Sequence, residues 1–214
     1  MGRYYVVVEG QGEELAVPNL LHRLCADAGH EGATWAVVGR RNAMKQRSAV
    51  EAQCEDLRRR GDCDGALLLQ DDEDGCPRED GPLIAGWVRE LRLPFPVAVS
   101  LFYRECETLF VACLPSLAGR RLVDPRGREL HPLDGAARFD GDPQRHRSAK
   151  DVLNRFLPKK HPYRETTHQL AVTCALDFEV LRAAALPCFG TLERALRFVL
   201  TTPGSAVYPP SPGG

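Results

Sequence analysis

The chain has 214 residues, enough for one large domain or for one domain with an appended lobe, and its 43% apolar and 27% charged residues are typical of a globular protein. A formal net charge of -1 gives no global attraction to polyanions, so any nucleic-acid contact has to come from local patches. No apolar run approaches the roughly 18 residues of a membrane span, and Met1-Gly2-Arg3-Tyr4-Tyr5-Val6 enters a strand with no small-residue cleavage site, so a cytoplasmic protein with no membrane partner is expected.

Residues 4–9 are nearly all β-branched or aromatic, the pattern of a strand buried on both faces, and Gly10 to Gly12 turn the chain. Val17, Leu20, Leu21, Leu24, Cys25 and Ala28 recur at helical spacing and predict a helix ended by Gly29, with Pro18 tolerated near its first turn. Thr34 to Val38 reads as a second strand, Ala49 to Arg60 as a polar helix, and Gly65 to Leu69 as a third buried strand. Leu83, Ile84, Trp87, Val88 and Leu91 mark another helix before a fourth strand, Pro96 to Leu101. This alternation predicts a parallel sheet with right-handed crossovers. A further amphipathic helix carries Cys106, Leu109, Phe110, Cys113 and Leu117.

Beyond it, 119–146 is rich in Gly, Pro, Asp and Arg and reads as a long irregular segment. Ser148-x-x-Asp151 predicts the capped start of a helix, residues 147–201 a helical lobe whose last helix runs from Thr191 to Leu200, and 202–214 a disordered tail. The eight cysteines contain no Cys-x-x-Cys pair and read mostly as reduced core residues. No Gly-x-x-x-x-Gly-Lys string makes the chain a P-loop ATPase.

Two acidic clusters follow apolar strands: Glu9 after Val6-Val7-Val8, and Asp71-Asp72-Glu73-Asp74 after Leu67-Leu68-Leu69 and Gln70. Strand tips at a topological switch point are where an open parallel sheet meets its ligand. Carboxylates gathered there repel one another unless a hard cation such as Mg²⁺ or Mn²⁺ neutralises them, which points to metal-assisted phosphoryl chemistry. The plainer alternatives are an exposed acid at a turn for Glu9 and a solvated loop for residues 71–74.

The order of these parts resembles the TOPRIM fold of topoisomerases, primases and OLD-family nucleases. The strings Val8-Glu9-Gly10-x-Gly12-Glu13, Ala16-Val17-Pro18, Asp71-x-Glu73-Asp74-x-Cys76-Pro77, Arg104-Glu105-Cys106-Glu107, Arg147-Ser148-Ala149-Lys150, Tyr163-x-x-Thr166 and Pro187-Cys188-Phe189 resemble a prokaryotic TOPRIM-like family of unknown function. The resemblance implies a Rossmann-like four-stranded parallel sheet of order 2-1-3-4 flanked by helices, with a TOPRIM-like catalytic domain at 1–118 and a mainly helical C-terminal extension. It implies an Mg²⁺- or Mn²⁺-dependent nuclease acting on nucleic acid, working beside a separate ABC- or SMC-type ATPase in antiphage defence or DNA processing.

Carried over, Glu9 matches the family's glutamate as base or ligand, and Asp71 and Glu73 match its Asp-x-Asp. The second aspartate is a glutamate here, so either Glu73 still reaches the metal or the pair has moved to Asp72 and Asp74. Glu13, Glu105 and Glu107 are outer acids of the site, with helix capping as the alternative for the last two. Arg147 and Lys150, within the basic stretch from Arg145 to Lys160, are candidate contacts to nucleic acid or a partner, or else a solvated face. The rival function is a catalytically weak subunit that docks the ATPase. Oligomeric state stays open.

Overall fold

The computed structural model describes residues 2–40 and 45–210. Among the described residues the strands are β1 (Gly2–Val8), β2 (Ala33–Arg40), β3 (Gly65–Asp72), β4 (Val97–Tyr103), β5 (Leu122–Val123), β6 (Glu129–Leu130) and β7 (Val207–Tyr208). The helices are α1 (Glu13–Asp27), α2 (Arg47–Arg60), α3 (Pro77–Glu90), α4 (Thr108–Ala112), α5 (Leu114–Leu117), α6 (Ala149–Arg155), α7 (Glu165–Thr173), α8 (Phe178–Ala183) and α9 (Pro187–Thr201). The main sheet is wholly parallel in the order β2-β1-β3-β4-β7, so the expected 2-1-3-4 order holds and a fifth strand extends it. Among the described residues, no helix is long and apolar enough to cross a membrane.

Both faces of the sheet are covered, which is why its strands read as unbroken apolar runs. Val6, Val8, Leu67, Leu69 and Phe102 face one core, shared with α1 and α4 to α9; Tyr5, Val7, Ala66, Leu68 and Val99 face the other, filled by Val50, Cys54 and Leu57 of α2 and Ile84, Ala85 and Val88 of α3. Helices α1 and α3, which follow the neighbouring strands β1 and β3, thus leave toward opposite faces. That divergence makes the carboxyl ends of β1 and β3 the switch point, where a crevice opens.

Three expectations need correction. Residues 147–201 do not form an appended lobe: Val152, Leu153, Ala171, Leu181, Leu192 and Leu196 share one continuous core with β1, β3 and α1. Residues 202–210 are not a disordered tail, because Val207 and Tyr208 pair with Val97 and Ala98 and the Tyr208 ring lies 5.7 Å from that of Phe198; residues 211–214 lie outside the described chain. Finally, β3 runs on through Asp72 rather than stopping at Leu69, so Asp71 and Asp72 are strand residues, not a loop. The segment 119–146 is largely irregular, as expected, but it holds the short β5–β6 hairpin and buries Leu122, Leu130 and Leu133. Every cysteine is free; Cys25, Cys54, Cys106, Cys113 and Cys188 are buried.

Candidate functional site

Strand β1 ends at Val8, and Glu9 begins the turn into α1. Two backbone amides in that turn, those of Glu9 and Gly10, donate to Glu13 Oε2 at 2.9 and 2.7 Å, so the first acid of α1 folds back over the strand tip. Gly12 lets α7 close in: a β-carbon there would stand 2.5 Å from Gln169 Oε1 and 3.1 Å from backbone atoms of Glu165. The ladder sets Val7 opposite Leu68, bringing Glu9 level with the end of β3, where the Asp71 amide bonds its carboxylate.

Asp71 is the focus of the crevice. Burial drives its pKa well above the ordinary value, and the nearby charges of Glu13, Glu107, Glu9 and Glu105 add to the effect. Glu9 and Glu13 are raised for the same leading reason, burial of the charged form. Three enclosed oxygens have no hydrogen-bond partner: Glu9 Oε2, Glu13 Oε1 and Asp71 Oδ1. Glu13 is only 5% exposed, so its free oxygen faces no bulk water. An enclosed, unbonded carboxylate oxygen is costly unless it is protonated or meets a cation.

The second wall comes from β4 and the C-terminal helices. Glu107 is 1% exposed and accepts a 2.9 Å hydrogen bond from the Tyr163 hydroxyl. Burial pushes its pKa up to about 7, with Lys150 opposing and Glu105 reinforcing the shift. Glu105 caps α6, accepting from the amides of Ala149 and Lys150. Thus capping is real for Glu105, but of a helix more than forty residues away. Ser148 caps the same helix, its Oγ accepting from the Asp151 amide at 3.2 Å.

Lys150 is the crevice's own cation. Its Nζ lies 3.2 Å from Glu105 Oε2 and also pairs with Glu165. Burial works against its charge, yet Glu107, Glu105 and Asp71 hold its pKa above the ordinary value. Its charge is thus largely committed to these carboxylates, unlike that of Arg147. Arg147 does stay open: its side chain is 84% exposed and pairs with Asp74 at 3.4 Å.

The 71–74 cluster does not act as one unit. Successive strand residues point to opposite faces, so Asp71 turns to the α1 side and Asp72 to the α3 side. There Asp72, fully buried, meets Lys45 Nζ at 2.5 Å and neighbours Asp80, beneath a Gly75 that leaves no room for a β-carbon against the Asp72 and Asp80 carboxylates. Asp71 and Asp72 therefore do not share one site: Asp72, with Asp80 and Asp74 nearby, surrounds Lys45 on the other side of the strand. Glu73 and Asp74 are exposed at the rim. Among the described residues, no three His, Cys, Asp or Glu side chains already converge as a ready-made metal-ligand group. The donors are nonetheless all oxygen, charged and partly orphaned, which fits a hard cation in kind.

The sequence patterns assign no site role to Tyr163, Lys45, Glu165 or Arg104. A buried tyrosine hydroxyl needs a partner, and that signal was present for Tyr163. For Lys45 and Glu165 none was, because each meets its partner across the fold.

The arrangement defines a class: parallel α/β proteins whose switch-point crevice is lined by carboxylates from three strand ends. Within that class the chain belongs to the family described as Domain of unknown function (DUF4276), which matches residues 8–197. Nothing among the curated proteins or the solved structures matches the chain.

Proposed function

We propose that the crevice binds Mg²⁺ or Mn²⁺ and that the protein is a TOPRIM-like, metal-dependent nuclease. The observation that carries this reading is the set of enclosed, unpartnered oxygens on Glu9, Glu13 and Asp71 at the switch point. Asp71 and Glu9 would hold the cation, with Glu13 and the rim residue Glu73 rotating toward it. When bound, the ion would supply charge stabilisation and an acidified water. The protein's own groups prepare for this. Glu9 has an ordinary partner in the Asp71 amide, which leaves one oxygen free to accept a proton. The hydroxyl of Tyr163 fixes Glu107, and Lys150 keeps Glu105 and Glu165 from repelling a phosphate.

A nuclease assay on single- and double-stranded DNA and RNA, with and without divalent ion, tests the reading. Cleavage should require the ion and disappear in Glu9→Gln, whose fold should persist because the residue lies outside the core. A fully active or unfolded variant would make Glu9 structural.

One observation favours the second reading, an interaction subunit that docks an ATPase of the ABC or SMC type: Lys150 already neutralises part of the acidic cluster from within. On that reading the protein cleaves nothing with any ion, and Lys150→Met unfolds it rather than altering metal affinity.

A further inference from the structure

Beside the acidic crevice lies a cleft of about 270 Å³ whose cations are Arg104, Arg147 and Lys150 and whose rim acids include Glu73 and Asp74. Arg104 directly follows β4 and adopts φ 71°, a left-handed conformation that is unfavourable for a residue with a β-carbon. Its amide bonds the Asp72 carbonyl at 3.1 Å, its Nη1 bonds the Glu73 carbonyl at 2.9 Å, and its guanidinium lies 5.2 Å from the Tyr103 ring centroid. Nε is enclosed without a partner. Among the described residues, no carboxylate stands within ion-pair distance of the Arg104 guanidinium. The side chain is thus held in place on a strained backbone and, among the described residues, makes no direct ion pair, an arrangement that outliers at ligand sites commonly share.

We infer that Arg104 and Arg147 form a phosphate subsite that grips a phosphodiester next to the one in the acidic crevice. The inference rests on the nucleic-acid reading above and deepens it. Lys150 is committed to Glu105 and Glu165, which leaves the two guanidiniums as the free cations of the cleft. Arg147 is loosely tied to Asp74 at 3.4 Å and can exchange that exposed partner for a phosphate oxygen. Guanidinium is suited to this because its planar donors match two oxygens at once. Ser148 adds a hydroxyl whose oxygen is already fixed by the Asp151 amide.

The test measures binding of a fluorescent single-stranded oligonucleotide in EDTA, at several salt concentrations. It compares wild type, Arg104→Gly, Arg147→Gln and the surface control Arg59→Gln. Glycine accepts φ 71° without strain, so Arg104→Gly removes the guanidinium without threatening the fold. Each cleft variant should bind about tenfold more weakly, the loss expected for a charge-assisted hydrogen bond, and lower the log–log salt slope by about 0.7. Arg59→Gln should do neither. Equal affinity and slope in Arg104→Gly and Arg59→Gln would overturn the subsite. No binding by the wild type would overturn it together with the nucleic-acid reading. A weakened Arg104→Gly beside a wild type that never cleaves would uphold the subsite and reject the nuclease.

Discussion

Glu107 ties the site's electrostatics to stability. Its folded pKa of about 7 exceeds the ordinary 4.5, so the stabilisation carried by its neutral form is complete below 4.5 and is lost as pH rises through about 7. A shift of that size is worth on the order of 3 kcal/mol. Glu9, Glu13 and Asp71 are displaced in the same direction, so the metal-free protein should melt at progressively lower temperature from pH 5 to pH 8. Glu107→Gln keeps an acceptor for Tyr163 and cannot ionise. It should flatten that decline, and an unchanged melting profile across the range would show that Glu107 is not the titrating group. At this scale the sequence was half legible. The acids at positions 9 and 71 were visible from the apolar runs before them, but how residues 71–74 divide between two faces depends on where β3 ends, and a polar strand end looks like a loop.

At the scale of elements, Gly12 and β7 carry the clearest consequences. Gly12→Ala would push a methyl group against Gln169 and the Glu165 backbone, so α7 must shift; overpacking of this kind costs about 1–3 kcal/mol. Chemical denaturation should show that loss, and wild-type stability would mean α7 can move aside freely. Truncation after Thr202 removes β7, the tilted ring contact of Tyr208 with Phe198 and the bond from Arg89 to the Pro209 carbonyl. It should cost about 1–3 kcal/mol, and an unaffected midpoint would mean that the strand adds nothing to the sheet. The four central strands and the crossovers were legible because burial on both faces writes continuous apolar runs into the sequence. Strand β7 was not, since two residues between prolines and glycines carry no periodicity. What makes them a strand is the free edge of β4, a partner more than a hundred residues away.

Across the whole molecule, the helices of 147–201 are the outer layer of one face of the sheet. A fragment ending at residue 146 would expose Leu21, Leu109, Phe110 and the upper face of β3, all now buried. It should fail to fold, whereas the full chain should unfold in one transition; a stable, cooperative 1–146 fragment would restore the two-lobe organisation. The same packing completes the crevice, because Glu105 and Glu107 from the end of β4 meet Lys150, Tyr163 and Glu165 from the C-terminal half. The acids from the two halves are therefore forced together by folding, and a divalent cation that relieves their repulsion should stabilise the folded state by mass action. Titration of Mn²⁺ into the protein at pH 7, followed by calorimetry and by melting temperature, tests this most directly. Saturable binding with a raised melting temperature, both lost in Asp71→Asn while the variant remains folded, is the predicted result; equal binding by Asp71→Asn, or no binding by the wild type, would contradict it.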